Sequence, residues 1–339
     1  MSSYADAGVD LDAADSAVEA IKPHIARTRR PEVLESESGF GAFFALDTSR
    51  YHQPLLVTST DGVGTKLEIA QALDRHDTIG RDLVAMVVDD IVCSGAAPLL
   101  FLDYLAVSTL DPVHAEQVVS GIADACEEVG CALVGGEMAA HPGVIPPGGY
   151  DLAGFGLGIV ERDDVLDAGR VQAGDDLVAM ASTGLHSNGY SLARRIVADA
   201  RLDLALDHGL SVQSLGDALL RPTRLYANDC LALVAATRVH ALAHVTGGGV
   251  PGNLARILPE GLGAGIDTAT FDVPEVLRLL QRHGDVAEAE MWRVFNMGAG
   301  MLAAVPDGQR AVEVLAARGL DAWVCGRVDE GDGVHLDGV

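Results

Sequence analysis

The chain has 339 residues, of which 49% are hydrophobic and 21% are charged, and its formal net charge is −26. That length suits two domains, and the composition is typical of a folded protein with a large core. Nucleic acids and anionic membranes are bound through basic surfaces, so neither is expected as a partner. No uninterrupted apolar stretch reaches the roughly 18 residues that a membrane span requires.

The cysteines and the N-terminus indicate a reducing compartment. The five cysteines are an odd number and include no C-x-x-C pair, so we expect buried free thiols. The first residues contain neither a basic segment nor an apolar run, and this pattern does not predict a signal peptide. A cytoplasmic protein is expected.

The first half of the chain, after a polar helix-compatible stretch, predicts strands interspersed with helices. Apolar patterns favour strands at 55–60, 99–107, 131–135 and 151–160, and helices at 66–74, 79–95 and 112–129. A polar stretch with two glycines, residues 161–176, then interrupts the pattern. We therefore predict an N-terminal domain of residues 1–165 and a C-terminal domain of residues 170–339.

The second half begins a new series of elements. Its patterns favour a strand at 177–182, a helix from about 189, a strand at 239–245 and a helix near 253–258, followed by a strand–helix–strand run. Strict β-α-β alternation is absent from both halves. The sequence therefore predicts two α+β domains rather than one doubly wound sheet.

The hexapeptide Asp61–Lys66, D-G-V-G-T-K, is the most informative motif. The chain has only two lysines, Lys22 and Lys66, and lysine is a compact point charge that arginine does not replace. Glycines let backbone N–H groups approach an anion, and Thr65 and Asp61 are oxygen ligands suited to Mg²⁺. Because the motif follows a predicted strand, it favours a phosphate site; a solvated glycine-rich turn is the alternative.

Two segments place carboxylates next to apolar runs. In the predicted helix 79–95, a rotation of about 100° per residue places Asp90 on an apolar stripe, and Asp82 and Asp89 together on another face. A buried carboxylate needs a cation, so Asp90 is a candidate Mg²⁺ ligand; a structural carboxylate that caps a backbone group or pairs with Arg81 is the alternative.

Glu137 follows a predicted strand and two glycines, and it is a candidate ligand of Mg²⁺ or of a substrate ammonium. An exposed turn residue is the alternative interpretation. Asp103 interrupts another apolar strand, and the same argument applies to it more weakly.

The C-terminal half contains two turns from strand to helix. In the segment 184–192, G-L-H-S-N-G-Y-S-L, Ser187 or Asn188 is predicted to cap a helix whose N-terminus can bind an anion. His186 would then hydrogen-bond a ligand or transfer a proton; a surface histidine is the alternative.

The segment Thr246-Gly247-Gly248-Gly249 has the same layout, with Asn253 as its predicted cap. Consecutive glycines indicate a close approach of the backbone to another group. Asn296, in F-N-M-G, is a further polar residue beside a glycine. The chain has no Walker A motif, Rossmann fingerprint or H-E-x-x-H motif, so its phosphate sites differ from those of the common nucleotide folds.

In this order, the motifs resemble those of the phosphoribosylformylglycinamidine cyclo-ligase family, also called aminoimidazole ribonucleotide synthetases. The resemblance spans nearly the whole chain. It rests on Y-A-D-A-G-V-D at 4–10, T-R-R-P-E-V at 28–33, G-F-G-A at 39–42, S-T-D-G-V-G-T-K at 59–66, H-D-T-I-G-R-D-L-V-A-M at 76–86, G-C-A-L-V-G-G-E at 130–137, G-L-H-S-N-G-Y-S-L at 184–192, R-P-T-R-L-Y at 221–226, H-V-T-G-G-G at 244–249 and F-N-M-G-A-G-M at 295–301.

The resemblance implies an ATP-dependent ring closure with Mg²⁺ in a homodimer whose N-terminal domains pack together through their sheets. Formylglycinamidine ribonucleotide would be phosphorylated on its formamide oxygen, and an amidine-side nitrogen would then displace the phosphate. The requirement for a monovalent cation stays open.

The resemblance also implies residue roles. Mg²⁺ would be bound by Asp61, Asp90 and Glu137. ATP would be bound by Gly39, Gly41, Gly62, Gly64, Thr65 and Lys66. The ribonucleotide would be bound by His186, Ser187, Asn188, Thr246, Gly247, Gly248, Gly249 and Asn296. The catalytic groups would be Asp61, Lys66 and His186, with His186 as the candidate for proton transfer.

Four positions depart from the family pattern. Many relatives carry Asn where this chain has Asp89, and the usual G-G-E-T-A-E is G-G-E-M-A-A here, with Met138 and Ala140. Ala97 replaces the usual acid before Pro98. These departures bear on the surroundings of the ATP and Mg²⁺ site.

Other members of the superfamily are alternatives. A selenophosphate synthetase would need a reactive cysteine near the N-terminal glycine-rich loop, and no cysteine precedes Cys93. A thiamine-phosphate kinase would lack the H-S-N-G-Y segment, and the glutamine-dependent amidotransferase of the preceding step would be far longer. A non-catalytic nucleotide-binding or maturation protein is the alternative from another class.

Overall fold

The structure is a computed structural model that describes residues 4–35 and 41–339. The chain divides into two units, the first made of residues up to Ile91 together with Ala97–Asp163, and the second of Val92–Ala96 together with Asp164–Val339. Each unit combines a sheet with helices, so the predicted α+β class is confirmed. No helix in the described part of the chain is long and apolar enough to cross a membrane.

The first unit is built on a four-stranded sheet. Its elements in chain order are α1 (Leu11–Arg27), β1 (Val33–Leu34), β2 (Phe43–Phe44), β3 (Pro54–Gly62), α2 (Leu67–Leu73), α3 (Ile79–Val92), β4 (Ala97–Val107), α4 (Pro112–Val129), β5 (Ala132–Ala140) and β6 (Tyr150–Glu161). The strand order is β3-β6-β4-β5, with β4 and β5 parallel and the other pairs antiparallel. The short strands β1 and β2 form a separate antiparallel pair.

The helix α4 shows how local sequence sets the boundaries of these elements. The Asp111 side chain accepts a hydrogen bond from the Val113 N–H, and Pro112 occupies the first helical position, where no N–H is needed. The helix ends at Gly130, which adopts a left-handed conformation with φ of 69°. The predicted helix at 112–129 therefore matches the observed one.

Glycines allow α3 to pack closely against the sheet and against α4. A Cβ atom at Gly154 would lie 2.5 Å from a ring carbon of Phe101, and one at Gly156 would lie 2.7 Å from side chains of α3. A Cβ atom at Gly80 would lie 2.2 Å from the backbone N of Ile122 in α4. As a result, α3 is buried along nearly its whole length.

The opposite face of the four-stranded sheet carries apolar side chains that remain accessible. Leu56 on β3 is 53% exposed and Phe155 on β6 is 46% exposed. The strand β4, on the other side of β6, contributes the half-buried side chains of Leu100, Leu102 and Tyr104 to the same face. We call this surface the outer sheet face.

The second unit is built on a six-stranded sheet. Its elements are β7 (Asp176–Ala181), α5 (Tyr190–Asp199), α6 (Leu215–Leu220), α7 (Ala227–Ala236), β8 (Ala241–His244), α8 (Gly249–Leu254), β9 (Leu262–Asp267), α9 (Glu275–Gly284), α10 (Glu288–Val294), β10 (Ala299–Val305), α11 (Gly308–Ala316), β11 (Ala322–Glu330) and β12 (Gly333–Asp337). The strand order is β12-β9-β11-β7-β10-β8, and only β12 and β9 pair in parallel.

Several predicted elements have different bounds in the structure, among them the strand predicted at 131–135, which is β5 and extends to Ala140, and the cysteine prediction is confirmed. The predicted helix 79–95 ends at Val92, and the predicted helix 253–258 is α8, which begins at Gly249. All five cysteines are free thiols, and only Cys93 is not fully buried.

Candidate active site

The D-G-V-G-T-K motif leaves the end of a strand, as predicted. Asp61 lies near the end of β3, where its half-buried carboxylate accepts a hydrogen bond of 2.7 Å from the Gly62 N–H. The next turn is a short 3₁₀ helix that exposes Gly64 and Thr65 to solvent. Gly64 has φ of 69°, a conformation that favours glycine. Backbone N–H groups and a hydroxyl are thus accessible at this turn.

Lys66, in contrast, is directed into the core of the first unit. Its side chain is fully buried, and its Nζ atom lies 2.8 Å from both carboxylate oxygens of Asp82. Burial lowers the pKa of Lys66, and the charge of Asp82 opposes this shift. The motif predicted that Lys66 faces phosphate. Lys66 is instead the N-cap residue of α2 and is buried, as are Ile69 and Ala70 of that helix.

The burial of the α3 carboxylates differs from the prediction. Asp82 and Asp89 are fully buried, whereas Asp90 is only half-buried. We predicted Asp90 on the buried stripe, and that placement is wrong. A helix that is covered by a sheet on one side and by α4 on another has no single apolar stripe, so angular position does not identify its most buried residues.

The three predicted metal ligands do not assemble into a cluster. Asp61 lies on the edge strand β3, and Glu137 is an exposed residue of β5, the edge strand on the other side. Neighbouring strands are separated by about 4.8 Å, so carboxylates three strands apart do not meet at one ion. Among residues 4–35 and 41–339, no group of three or more His, Cys, Asp or Glu side chains is arranged to hold a metal ion.

Asp103 lies on the buried face of the same sheet. It is 7% exposed, and burial raises the pKa of its carboxyl from 3.8 to about 7. Gly136 on the adjacent strand provides the necessary space, because a Cβ atom there would lie 2.3 Å from Asp103 Oδ1.

His186 in the second unit is buried rather than exposed, so the interpretation as a surface histidine is wrong. It is 1% exposed and adopts a left-handed backbone conformation with φ of 63°. Its Nε2 atom accepts a hydrogen bond of 3.1 Å from the Thr183 N–H, and its ring packs against Tyr226. His186 therefore fixes the turn that precedes α5.

The predicted caps of α5 and α8 are also wrong. Gly189 occupies the cap of α5, with φ of 80° and no side-chain hydrogen bond. Ser187 instead lies 3.2 Å from Thr223, oxygen to oxygen, and Asn188 is half-buried. Asn253 lies within α8, where its Nδ2 atom donates to the carbonyls of Thr246, Gly247 and Gly249.

The predicted ribonucleotide segments come together in the second unit. A Cβ atom at Gly247 would lie 3.6 Å from Asn188 Oδ1, and Gly247 and Gly248 are both exposed. Asn296 donates from Nδ2 to the Gly184 carbonyl over 2.7 Å, and its Oδ1 accepts from the Gly298 N–H over 3.0 Å. Asn296 therefore joins two of these loops by hydrogen bonds, and the third, at Gly247, lies beside Asn188.

Not all the predicted glycines have equal access to a ligand. A Cβ atom at Gly249 would lie 1.9 Å from the Trp292 carbonyl oxygen, so this glycine is required by packing. Gly41 is exposed. Gly39 lies outside the described residues.

Sequence reasoning did not identify a cluster of rings in the first unit. His76 Nδ1 lies 3.0 Å from the Tyr150 hydroxyl, and the rings of His76 and His114 are 3.9 Å apart. Burial lowers the pKa of both histidines, that of His114 to about 4, so both are uncharged at neutral pH. His76 lies in one of the family-like motifs, but no sequence signal connects it with His114.

The comparisons with known proteins agree with this architecture. A family model described as "AIR synthase related protein, N-terminal domain" matches residues 47–160, and the corresponding C-terminal domain model matches residues 172–338. A phosphoribosylformylglycinamidine cyclo-ligase from Anaeromyxobacter sp. is 52% identical over 333 residues, which are 97% of this chain and 96% of the relative.

Two solved structures share the fold at lower identity. A thiamine-monophosphate kinase from Stenotrophomonas maltophilia has a TM-score of 0.72 and 23% identity, over 95% of this chain and 96% of that one. The hydrogenase maturation protein HypE in complex with ATP has a TM-score of 0.65 and 19% identity, over 91% and 84% of the two chains.

The two domain models define the class of this chain, that of the AIR synthase related proteins. Its identity to the Anaeromyxobacter protein extends over nearly the full length of both chains. The chain belongs to the phosphoribosylformylglycinamidine cyclo-ligase family.

We predict that Lys66→Met lowers the free energy of unfolding by about 3–5 kcal/mol, because it leaves the buried Asp82 carboxylate without its ammonium partner. The double variant Lys66→Met/Asp82→Leu should recover part of that loss. Urea unfolding of the wild type, both single variants and the double variant gives the coupling energy. Purely additive effects would show that the two side chains do not stabilise each other.

A second prediction concerns Asp103. Its pKa is raised in the folded state, so its contribution to stability is complete at low pH and is lost as pH rises through about 7. The asparagine of the Asp103→Asn variant does not ionise. The free energy of unfolding of this variant minus that of the wild type should therefore rise between about pH 4 and pH 7 and then level off. Thermal unfolding across this range measures the effect, and a difference independent of pH would contradict it.

Proposed function

We propose that the chain catalyses the ATP-dependent cyclisation of formylglycinamidine ribonucleotide to aminoimidazole ribonucleotide, ADP and phosphate, a step of purine biosynthesis. The observation that carries this proposal is the 52% identity to a phosphoribosylformylglycinamidine cyclo-ligase along nearly the whole chain. The match of both AIR synthase domain models supports it. The protein is proposed to act in the cytoplasm.

The chemistry requires activation of a poor leaving group. The formamide carbonyl oxygen of the substrate attacks the γ-phosphorus of ATP and ADP leaves. The formamide nitrogen gives up its proton, and an iminophosphate forms. The amidine-side nitrogen then attacks the formamide carbon. The bond from this carbon to the phosphate-bearing oxygen breaks as phosphate leaves, and the ring closes. The protein contributes mainly by positioning the reactants and by neutralising charge.

ATP phosphates are proposed to bind at the turn after β3. Gly64 and Thr65 are exposed there, and the family resemblance assigns this loop to ATP. The buried Lys66–Asp82 pair lies beneath the turn and fixes its geometry. We therefore assign Lys66 to positioning of the loop, with contact to phosphate dependent on release from Asp82.

Mg²⁺ is proposed to bind with the nucleotide rather than in a cage made by the protein alone. Sites of this kind use one or two carboxylates together with substrate phosphates. Asp61 and Asp90 are half-buried carboxylates and fit that requirement. Glu137, on the opposite edge strand, is proposed as a ligand of a separate ion. When bound, Mg²⁺ would neutralise phosphate charge.

The ribonucleotide is proposed to bind where the loops of the second unit converge. Gly247, Gly248 and Asn188 present accessible polar groups there, with Thr246 and Ser187 beside them. His186 and Asn296 hold these loops in place through hydrogen bonds to the backbone. Because Nε2 of His186 already accepts a hydrogen bond, we assign this residue a positioning role first, and proton transfer only from a rearranged state.

The proposed activity is tested by ADP release from ATP and Mg²⁺, with and without the ribonucleotide. We expect release to depend on the ribonucleotide and to be accompanied by formation of the imidazole product. ADP release that does not depend on the ribonucleotide, or ATP binding without turnover, would favour a nucleotide-binding protein of the maturation class.

A homodimer is proposed to form through the outer sheet face. Leu56 and Phe155 are large apolar side chains that lie exposed on this face, and contiguous apolar patches on soluble proteins commonly mark interfaces. Contact between two such faces would remove both from water.

Leu56→Asp should convert the proposed dimer into a monomer at micromolar concentration, because it places a charge in a buried apolar contact. Leu206→Asp is the matched control, since Leu206 in the second unit is 56% exposed, close to the 53% of Leu56. Sedimentation equilibrium measures both masses. Equal masses for the two variants would place the interface elsewhere.

A further inference from the structure

A cavity of about 390 Å³ opens in the first unit between α1 and the strands β4 and β5. Such a volume lies within the range of small-molecule sites. Its walls are mainly aliphatic, with Ala14, Val18, Ile21 and Ile25 contributed by one face of α1 and Val119 by α4. These residues are not among those proposed to bind ATP phosphates or the ribonucleotide.

Asp103 is the buried polar group of this cavity. It lines the cavity although its side chain is more than nine-tenths buried. In the described ranges of the chain, no lysine, arginine or histidine forms an ion pair with it, and the hydrogen bond at its carboxyl comes from its own backbone. A buried carboxylate without a cation is costly, and natural proteins seldom keep one without a purpose.

The glycine opposite Asp103 keeps the carboxylate accessible to the cavity. Gly136 pairs with Asp103 across β4 and β5, and any side chain at position 136 would overlap Asp103 Oδ1. The backbone of β5 is thus shaped to leave room for the carboxylate. Glu137, the next residue, pairs with Tyr104 and so belongs to the outer sheet face, which leaves Asp103 as the carboxylate that faces the cavity.

This combination selects the chemistry of the ligand. An anion would be repelled by the Asp103 carboxylate, and a strongly hydrated metal ion would gain nothing from aliphatic walls. A cation that carries an apolar body would satisfy both parts of the cavity, through an ion pair at one end and burial of apolar surface at the other. We propose that this cavity binds a small organic monocation, an amidinium or alkylammonium with an apolar body, for which Asp103 is the counter-ion.

Benzamidine is a suitable probe, since it joins an amidinium to an aromatic ring. Isothermal titration of the full-length protein with benzamidine should show saturable binding. Neutral benzamide and anionic benzoate, which have the same shape, should bind at least about 10-fold more weakly. Equal affinity for benzamide would overturn the assignment of Asp103 as a counter-ion.

Two variants and two matched controls localise the site. Asp103→Asn should weaken benzamidine binding about 10- to 100-fold, and Ala14→Leu should weaken it by filling the cavity. Asp151→Asn removes an exposed carboxylate from the same sheet, and Ala13→Leu enlarges the neighbouring position of α1; neither should change the affinity. Melting temperatures check that each variant is folded. Wild-type affinity in both Asp103→Asn and Ala14→Leu would overturn the proposal.

Discussion

The first unit depends on the burial of α3 on more than one side. Glycines in β6 let the helix approach the sheet, and the contact between Gly80 and α4 lets two helix backbones approach each other. A helix in this environment has little room for charge, yet α3 carries Asp82 and Asp89 in full burial. The ammonium of Lys66 compensates Asp82 and so connects the glycine-rich turn to the interior of the unit.

That connection makes the turn a part of the core rather than a surface loop. One end of the turn is the half-buried Asp61 at the end of β3, and the other is Lys66 at the start of α2. Between them, Gly64 and Thr65 are exposed, whereas Val63 is buried. A ligand at this turn would therefore meet a rigid backbone, which suits recognition of phosphate by N–H groups. In the second unit, the loops are fixed by side-chain amides. Asn253 and Asn296 donate hydrogen bonds from Nδ2 to backbone carbonyls of these loops.

Periodicity and turn residues were sufficient to predict most elements, because strands such as β3 and helices such as α4 follow local rules. The strands β3 to β6 and the helices α2 to α4 overlap the segments in which the apolar pattern placed them. The sequence could not reveal which residues of α3 face the interior, because that depends on neighbours distant in the chain. For the same reason it placed Lys66 against phosphate rather than in the core, and missed the contact of His76 with His114. The motifs identified the loops that converge, whereas the direction of individual side chains was decided by packing.

The burial of Lys66 also changes the reactivity of the protein surface toward reagents that attack primary amines. The chain has two lysines, and Lys66 is fully enclosed. Lys22 on α1, in contrast, has a side chain that is 59% exposed. Among lysine side chains, acylating dyes and biotin esters therefore have one accessible target per folded chain. A cross-linker that joins two lysines has no intramolecular pair to join, so any lysine–lysine link it formed would report contact between two copies.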